Sequence, residues 1–346
     1  MPIWDPPTEV ALLLYPDYAA STVHGLTDLF TVASTLARQH VGANAPQLRV
    51  SHWLPDAANE AIAAVFDTHP ALDHRPMAVI VPGSWKGEPT GEVKQCLARW
   101  MVERHAGGST LCSVCGGAFV LAETGLLDGR SATTHWDFAQ DLARRFPDIR
   151  VDASKIVVED GNLITAGGVL AWTDLGLKLV DRYLGPSIML ETARYMLVDP
   201  PGREQRYYSN FSPVLHHGDA AILKVQHWLQ TQATSQPTIS EMARIGGLTD
   251  RTFLRRFQKA TGLKPTDYSQ RLRVGKAREM LEFSSLAINL IARGIGYEDP
   301  SSFRRVFQRV VGISPTDYRR RFGALRPGST AAPPAVRGSR RAAGRR

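Results

Sequence analysis

The stretch FLRRFQKATGLKPTDYSQRL, residues 253–272, returns as FRRVFQRVVGISPTDYRRRF at residues 303–322. The two segments align without a gap at a spacing of 50 residues. The identical positions include Phe253 and Phe303, Phe257 and Phe307, Gly262 and Gly312, Pro265 and Pro315, and Tyr268 and Tyr318. Agreement over this length predicts that one structural unit occurs twice in the C-terminal third of the chain.

Each copy has the pattern of a helix-turn-helix. A short helical pattern, over residues 239–245 in one copy and 288–293 in the other, is followed by a glycine-bearing turn and a second helix. The predicted N-terminal caps of the second helices are Thr249 or Asp250 in the first copy and Asp299, followed by Pro300, in the second. The C-terminal part is therefore expected to be all-α.

The second helix of each copy combines an apolar face with a basic one. Its phenylalanines lie four residues apart and face the core, which leaves arginines outward, where they can bond guanine in a major groove. The predicted DNA-contacting residues are Thr249, Asp250, Arg251, Thr252, Arg255, Arg256, Ser301, Ser302, Arg304 and Arg305. A solvated surface is the alternative for one such helix. Two copies favour DNA, because residues 265–283 predict a helical spacer of about 27 Å, suited to grooves ~34 Å apart.

The charge of the chain is divided unevenly between its parts. The formal net charge is +8. Residues 1–218 hold 17 Lys and Arg against 24 Asp and Glu, whereas residues 219–323 hold 18 against 9. Residues 324–346 add six arginines and no acid. A basic C-terminal third joined to an acidic body predicts a polyanionic partner, double-stranded DNA.

The first two hundred residues alternate apolar strands with amphipathic helices. The continuous apolar runs are residues 10–15, 48–54, 77–83 and 109–114. Such runs are typical of parallel strands covered on both faces. Asp160-Gly161 between two β-rich runs predicts a hairpin. The predicted fold class is a doubly wound, flavodoxin-like α/β domain followed by an all-α domain with two helix-turn-helix units.

Composition suggests where the parts divide. The predicted organisation is an α/β domain over residues 1–198, a linker over 199–218, the helix-turn-helix domain over 219–323 and a disordered basic tail over 324–346. The linker carries three prolines, and the tail is a Pro/Gly/Ala/Arg sequence that cannot bury enough apolar surface to fold.

Cysteine usage and hydropathy limit the protein class. The three cysteines make neither a disulfide framework nor paired C-x-x-C zinc ligands, so no metal or cofactor is predicted. We see no N-terminal leader and no apolar run near the ~20 residues that span a bilayer. The expected location is the cytoplasm, away from membranes.

Two segments resemble known families. Residues 220–322, with GYEDPSSFRRVFQRVVGISPTDYRRRF at 296–322, resemble the DNA-binding domain of AraC/XylS-type transcriptional regulators. The segment SVCGGAFVLAETGLLDGRSATTHW, residues 113–136, resembles the GlxA-type members, in which a class I glutamine-amidotransferase-like (PfpI-type) domain precedes the AraC domain. The resemblance implies binding to promoter DNA and activation of transcription beside RNA polymerase. We also expect a homodimer.

The same resemblance implies a sharp strand-to-helix turn at Cys115, with His135 close to it in space. Gly116 and Gly117 would let the chain turn tightly. A thiol at a helix N-terminus is favoured as thiolate, His135 could accept its proton, and Asp137 could orient the imidazole. An alternative function is therefore a cysteine-dependent amidase or glyoxalase-like hydrolase.

Departures from the hydrolases of this fold favour a domain without catalysis. Where those enzymes carry a carboxylate after the first strand, the alignment places Thr22. Gly116 follows Cys115 where PfpI-type proteases carry a histidine. We therefore predict a sensor pocket rather than an enzyme. An inert structural turn at Cys115 and a DNA-binding protein without any ligand are further alternatives.

The pocket is expected where doubly wound sheets bind ligands, at the carboxyl ends of their strands. The predicted ligand-binding residues are Thr22, Gly83, Ser84, Trp85, Cys115, Gly116 and His135. Trp85 could form an aromatic wall for a cationic or apolar ligand. By resemblance the effector is a small metabolite, amino-acid-like or a quaternary amine. Its binding would change how the helix-turn-helix pair meets DNA.

Overall fold

A computed structural model describes residues 6–56, 61–232 and 236–324. The chain divides into two compact units, one up to Ser209 and the other from Asn210 onward. The tail predicted to be disordered lies, from residue 325, outside the described residues. No helix in the described ranges is both long enough and apolar enough to cross a membrane.

The first unit is built on a seven-stranded sheet. Its strands and those of a small separate pair are β1 (Thr8–Leu13), β2 (Leu48–Asp56), β3 (Ala61–Asp67), β4 (Pro76–Val81), β5 (Thr110–Val114), β6 (Ser131–Ala132), β7 (Arg150–Val151), β8 (Val157–Asp160) and β9 (Leu163–Ala166). The order across the sheet is β3-β2-β1-β4-β5-β9-β8, with parallel pairing except at the two edges. The doubly wound sheet and the Asp160-Gly161 hairpin are confirmed.

Helices cover both faces of this sheet. They are α1 (Ala20–Val41), α2 (Gly91–Ala106), α3 (Gly117–Ala122), α4 (Ala139–Arg145), α5 (Trp172–Leu184) and α6 (Pro186–Tyr195). Neighbouring strand residues point to opposite faces. Val10 and Leu12 accordingly pack into the core under α1 and α5, whereas Ala11 and Leu13 pack into the core under α2 and α3.

The second unit consists of seven helices in its described part. They are α7 (Ala220–Thr231), α8 (Ile239–Gly246), α9 (Asp250–Thr261), α10 (Pro265–Phe283), α11 (Ile288–Gly294), α12 (Pro300–Val311) and α13 (Pro315–Phe322). The helix-turn-helix pairs α8–α9 and α11–α12 are confirmed, as is the spacer helix over residues 265–283. Helix α10 supplies Tyr268 to the core of the first pair and Val274 and Leu281 to the core of the second.

Of the predicted N-terminal caps of α9 and α12, only that of α12 forms the expected hydrogen bonds. Asp299 caps α12 by accepting hydrogen bonds from the amides of Ser301 and Ser302, and Pro300 is the first helical residue. Thr249 lies at the cap position of α9, but its hydroxyl bonds that of Thr252 at 3.0 Å instead of a backbone amide. The second helix-turn-helix therefore has the better-satisfied helix start.

The predicted linker, residues 199–218, begins inside the first unit. Arg203 forms an ion pair with the buried carboxylate of Asp174, and Gln205 is 2% exposed. Residues up to Ser209 belong to the first unit. The residue-level domain boundaries remain predictions, but the first half of this segment is packed rather than a free connection.

Candidate functional site

Cys115 stands at a strained turn between β5 and α3. Its φ angle is +54°, which is rare for a residue with a side chain, and its amide donates to the Ala166 carbonyl at 2.7 Å. A Cβ on Gly117 would lie 2.3 Å from the Val81 carbonyl oxygen, whereas a Cβ on Gly116 would meet nothing within 4 Å. The expectation that both glycines serve the turn is corrected, because only Gly117 is required by a close approach.

A pocket opens over Cys115 at the carboxyl ends of the strands. Its lining includes five of the seven predicted ligand-binding residues, namely Thr22, Gly83, Ser84, Trp85 and Cys115, together with Ala19 and Val169. Gly83 follows β4 and comes so near the turn that a Cβ there would lie 3.2 Å from the Cβ of Cys115. The predicted residues Gly116 and His135 are not part of this lining.

Backbone hydrogen bonds hold the two loops that form the mouth of the pocket. The amide of Ala19 donates to the Gly83 carbonyl at 2.8 Å, and the amide of Trp85 donates to the Asp17 carbonyl at 3.0 Å. Trp85 itself is 67% exposed. An aromatic side chain is thus presented at the rim by a loop with a fixed backbone.

Thr22 brings an unsatisfied hydroxyl to the pocket. The residue is 1% exposed, and its Oγ1 has no hydrogen-bond partner in the described part of the chain. Other threonines of α1 donate to the carbonyl four residues back, as Thr27 does to Val23 at 2.8 Å. Thr22 is in the first turn of α1, where this bond is not formed. A buried hydroxyl of this kind is costly unless a ligand or water meets it.

The Cys115 thiol is not activated by its surroundings. Burial raises the pKa of the thiol, and hydrogen bonds from the backbone amides of Gly116 and Gly168 oppose that shift only in part. Cys115 is 9% exposed. The neutral thiol, a poor nucleophile, is therefore the dominant form near neutral pH.

His135 and Asp137 are not arranged as catalytic partners of Cys115. No hydrogen bond joins His135 to Cys115 within the described ranges; the hydroxyl of Thr134 instead donates to the Cys115 carbonyl at 2.8 Å. The backbone amide of Asp137 donates to Nδ1 of His135 at 3.2 Å, and among the described residues no hydrogen bond joins the Asp137 carboxylate to the ring. Burial lowers the pKa of His135, against the pull of Asp137.

In the second unit the phenylalanines of α9 and α12 are fully buried, and the opposite helix faces are exposed. Arg251 and Arg255 line an open groove on α9 beside Lys264. Neither arginine has a hydrogen bond or ion pair with any residue that the structure describes. Unpaired guanidinium groups on a helix face are free to meet phosphate or base edges.

Other predicted DNA contacts already have protein partners. Arg256 forms hydrogen bonds of 2.8 and 2.6 Å with the carboxylate of Asp219. Arg304 donates to Asn289 at 2.8 Å and Arg305 to Ser302 at 3.0 Å, both on the exposed surface. The carboxylate of Asp250 accepts from Ser240. The exposed contacts can exchange for DNA, but the Arg256 pair is structural.

The repeat contains the signal that would have separated Arg256 from its neighbours. In the alignment Arg255 matches Arg305, whereas Arg256 matches Val306, which packs against the core of the second pair. The position of Arg256 therefore faces inward in both copies. Nothing in the sequence pattern indicated that Asp219 would be the partner of Arg256.

Sequence comparison places both units. A model of the DJ-1/PfpI family matches residues 66–182, and a model of a helix-turn-helix domain matches residues 242–321. The HTH-type transcriptional regulator GlxA of Rhizobium meliloti is 30% identical over 219 residues, which cover 62% of this chain and 67% of GlxA. The chain belongs to the GlxA-type family of AraC-type helix-turn-helix regulators. The match to DJ-1/PfpI accounts for the sheet domain of this family, and the strained turn at Cys115 is part of it.

Two further relatives bear on function. The HTH-type transcriptional regulator CdhR of Pseudomonas aeruginosa is 28% identical over 216 residues, covering 62% of this chain but just under two thirds, 64%, of CdhR. The isonitrile hydratase of Pseudomonas putida is 38% identical over 120 residues, which cover 35% of this chain and 49% of the enzyme. The relatives that match 62% of this chain are regulators, and an enzyme matches 35% of it.

Proposed function

We propose that this chain is a transcriptional regulator that binds promoter DNA through α9 and α12. The observation that carries the proposal is the duplicated helix-turn-helix with exposed, unpaired Arg251 and Arg255 on its first reading helix. The site residues proposed to meet DNA are Thr249, Asp250, Arg251, Thr252, Arg255, Ser301, Ser302, Arg304 and Arg305. Arg256 is left out because Asp219 holds it.

The first unit is proposed to sense a small metabolite in the Cys115 pocket without catalysis. Thr22 offers a buried hydroxyl, and Trp85 offers an aromatic surface to an apolar or cationic group. The pocket has a volume of about 20 Å³, enough for a single water, so an amino-acid-like or quaternary amine effector would have to widen it on binding. We further propose that the protein acts in the cytoplasm as a homodimer and activates transcription beside RNA polymerase.

The DNA part is tested with the full chain and a fluorescent duplex from its own upstream region. We expect tight binding that weakens steeply with salt, because phosphate contacts release counterions. The double variant Arg251→Ala/Arg255→Ala should lose preference for this duplex over an unrelated one. Lys276→Ala, which removes an exposed lysine of α10 paired with Glu279, is the matched control. Equal affinity of the wild type for both duplexes would contradict the proposal.

A cysteine hydrolase or hydratase is the second candidate. The strained turn at Cys115 and the similarity to isonitrile hydratase over 120 residues favour it. Incubation with a simple isonitrile, amides and dicarbonyls separates the candidates. Turnover that is abolished by Cys115→Ser would support the enzyme, and the absence of turnover in a protein that binds its promoter would support the sensor.

A further inference from the structure

One buried glutamine anchors the segment that ends the first unit. We call residues 203–209 the strap. The side-chain amide of Gln205 has Nε2 at 3.0 Å from Thr133 Oγ1, 2.8 Å from the Thr134 carbonyl and 2.9 Å from the Lys155 carbonyl, and its Oε1 accepts from the Trp136 amide at 3.1 Å. Gln205 is 2% exposed, so these bonds are shielded from water.

Backbone contacts complete the attachment of the strap. The Gln205 amide donates to the Ser154 carbonyl at 2.8 Å, and Glu204 forms an antiparallel bridge with Lys155. Within the strap, the Tyr208 amide donates to the Gln205 carbonyl at 2.8 Å. Ser209 is followed directly by Asn210, the first residue of the second unit. The strap is thus the last piece of the first unit before the chain enters the helix-turn-helix unit.

Thr134 joins the strap to the floor of the pocket. Its carbonyl accepts from Gln205, and its hydroxyl donates to the Cys115 carbonyl at 2.8 Å. Thr134 is fully buried, so water cannot easily replace either bond. One residue therefore holds both the pocket cysteine and the strap glutamine.

Gln205 also lies against the wall of the pocket. A Cβ on Gly167 would be 1.9 Å from Gln205 Nε2, so the glutamine amide packs directly on that backbone. The backbone of the next residue, Gly168, favours the Cys115 thiolate and lowers the pKa of the thiol against the effect of burial, and Val169 lines the pocket. The position of the glutamine and the shape of the pocket wall are mutually dependent.

The backbone at Cys115 is suited to pass a structural change in the pocket on to its hydrogen-bonding neighbours. Its left-handed backbone persists only because neighbouring groups hold it, and two of the holding contacts are the Ala166 carbonyl and the Thr134 hydroxyl. Cys115 lines the pocket, so a molecule bound there would contact its side chain, and any shift of that side chain would strain these two contacts.

We propose that Gln205, acting through Thr134, couples occupancy of the Cys115 pocket to the firmness with which residues 203–209 are held. The inference rests on the proposed function of the pocket as a sensor, and it names the first step by which a ligand would reach the second unit. Gln205 does not line the pocket and is a positioning residue.

The test uses iodoacetamide as the occupant. In mildly alkaline buffer, which offsets the raised pKa of Cys115, the thiolate displaces iodide and leaves a carboxamidomethyl group in the pocket. Peptide masses establish that Cys115 is modified and that the fully buried Cys112 is not. Hydrogen exchange of residues 203–209 in the full chain is then compared before and after modification. We expect exchange to accelerate about fivefold or more, the lower end of measured site-to-site couplings.

Three variants locate the coupling. Gln205→Ala should exchange rapidly in the strap before modification and respond no further. Thr134→Val keeps the carbonyl that holds Gln205 but loses the hydroxyl bond to Cys115. It should exchange like the wild type and fail to respond. Lys155→Ala removes a half-exposed ion pair with Glu204 of the strap but keeps the Lys155 carbonyl that holds Gln205, so it should respond to modification like the wild type.

An unchanged strap after complete modification of the wild type, or an undiminished response in Thr134→Val, would overturn the coupling. Thr134→Val is an isosteric change, so it serves if Gln205→Ala does not fold. Binding to the upstream duplex is measured on the same samples. A strap that responds in a protein without DNA affinity would sustain the coupling and defeat the proposed regulator.

Discussion

Arg256 and Asp219 form a two-pronged ion pair, with N···O distances of 2.8 and 2.6 Å, between α9 and the start of α7. Asp219 also caps α7, its Oδ1 accepting from the Ile222 amide at 3.1 Å. The Arg256 guanidinium lowers the pKa of the Asp219 carboxyl. One carboxylate thus caps α7 and holds α9, the second helix of the first helix-turn-helix, against it.

Arg255 and Arg256 should therefore differ in what their loss changes. Arg255→Ala should reduce affinity for the cognate duplex by about 1–3 kcal/mol, measured by fluorescence anisotropy, and leave thermal unfolding unchanged. Arg256→Ala should lower the unfolding midpoint and leave base preference intact. Asp219→Ala should cost about 1 kcal/mol of stability through the lost cap. Altered base preference in Arg256→Ala with unchanged unfolding would refute the structural role.

The turn at Cys115 should tolerate a methyl group at one glycine only. Gly117→Ala places a Cβ 2.3 Å from the Val81 carbonyl oxygen, so the backbone must shift, and we expect a loss of about 1–3 kcal/mol in urea unfolding. Gly116→Ala, with open space around the new Cβ, is the matched control and should unfold like the wild type. Equal stability of the two variants would mean that the approach of α3 to β4 is not as tight as described.

Thr22→Val should stabilise the free protein and weaken ligand binding. The change removes a buried hydroxyl that has no bonding partner among the described residues, which should raise the unfolding free energy by about 1 kcal/mol. In thermal-shift screens of metabolites, any compound that stabilises the wild type should lose its effect on the variant. Thr27→Val is the control, because that hydroxyl is bonded and its loss should destabilise. A destabilised Thr22→Val protein would contradict the absence of a bonding partner for this hydroxyl, and a variant that keeps the full ligand-induced shift would contradict the role of Thr22 as a ligand contact.

His52 should make the first unit sensitive to acid. The residue is 6% exposed and packs on Phe66, and burial, with the nearby His24, lowers its pKa to about 4. Because the pKa in the folded state lies below the unfolded value of about 6.5, neutral His52 favours folding. This contribution is complete above about pH 6.5 and is lost as the pH falls towards about 4, by up to about 3 kcal/mol.

Urea unfolding across that interval checks this expectation. The unfolding free energy of the wild type should decline with acidity more steeply than that of His52→Gln, which cannot titrate. Parallel curves for the two proteins would show that protonation of His52 is not coupled to unfolding.

The parts of the fold that sequence predicted well are those with strong periodicity. Continuous apolar runs located four of the five parallel strands, β1, β2, β4 and β5, and the repeat located α8 to α12. Strand β3, AIAAVFD, was missed although its first six residues are apolar; it is an edge strand whose residues are exposed or half-buried. Strand β7, with two residues, is too short to leave any pattern.

The candidate sites divide in a similar way. Thr22, Gly83 and Cys115 follow strand ends, so topology alone brings them together. His135 was expected beside Cys115 from resemblance, but Thr134 makes the contact instead. Gln205 escaped notice because it lies in a proline-bearing stretch whose polar character suggested a linker. Its role depends on four bonds to distant residues, which no local pattern encodes.

Because α10 contributes to the cores of both helix-turn-helix pairs, it fixes their relative rotation as well as the distance between them. Each residue of an α-helix turns the chain by about 100°. Inserting one residue between Tyr268 and Val274 would therefore rotate α12 away from the side of the duplex that α9 contacts. Insertion of a full turn would instead restore the phase and lengthen the step along the DNA. The length and the helical phase of α10 together therefore determine which spacing of DNA half-sites the protein can bind.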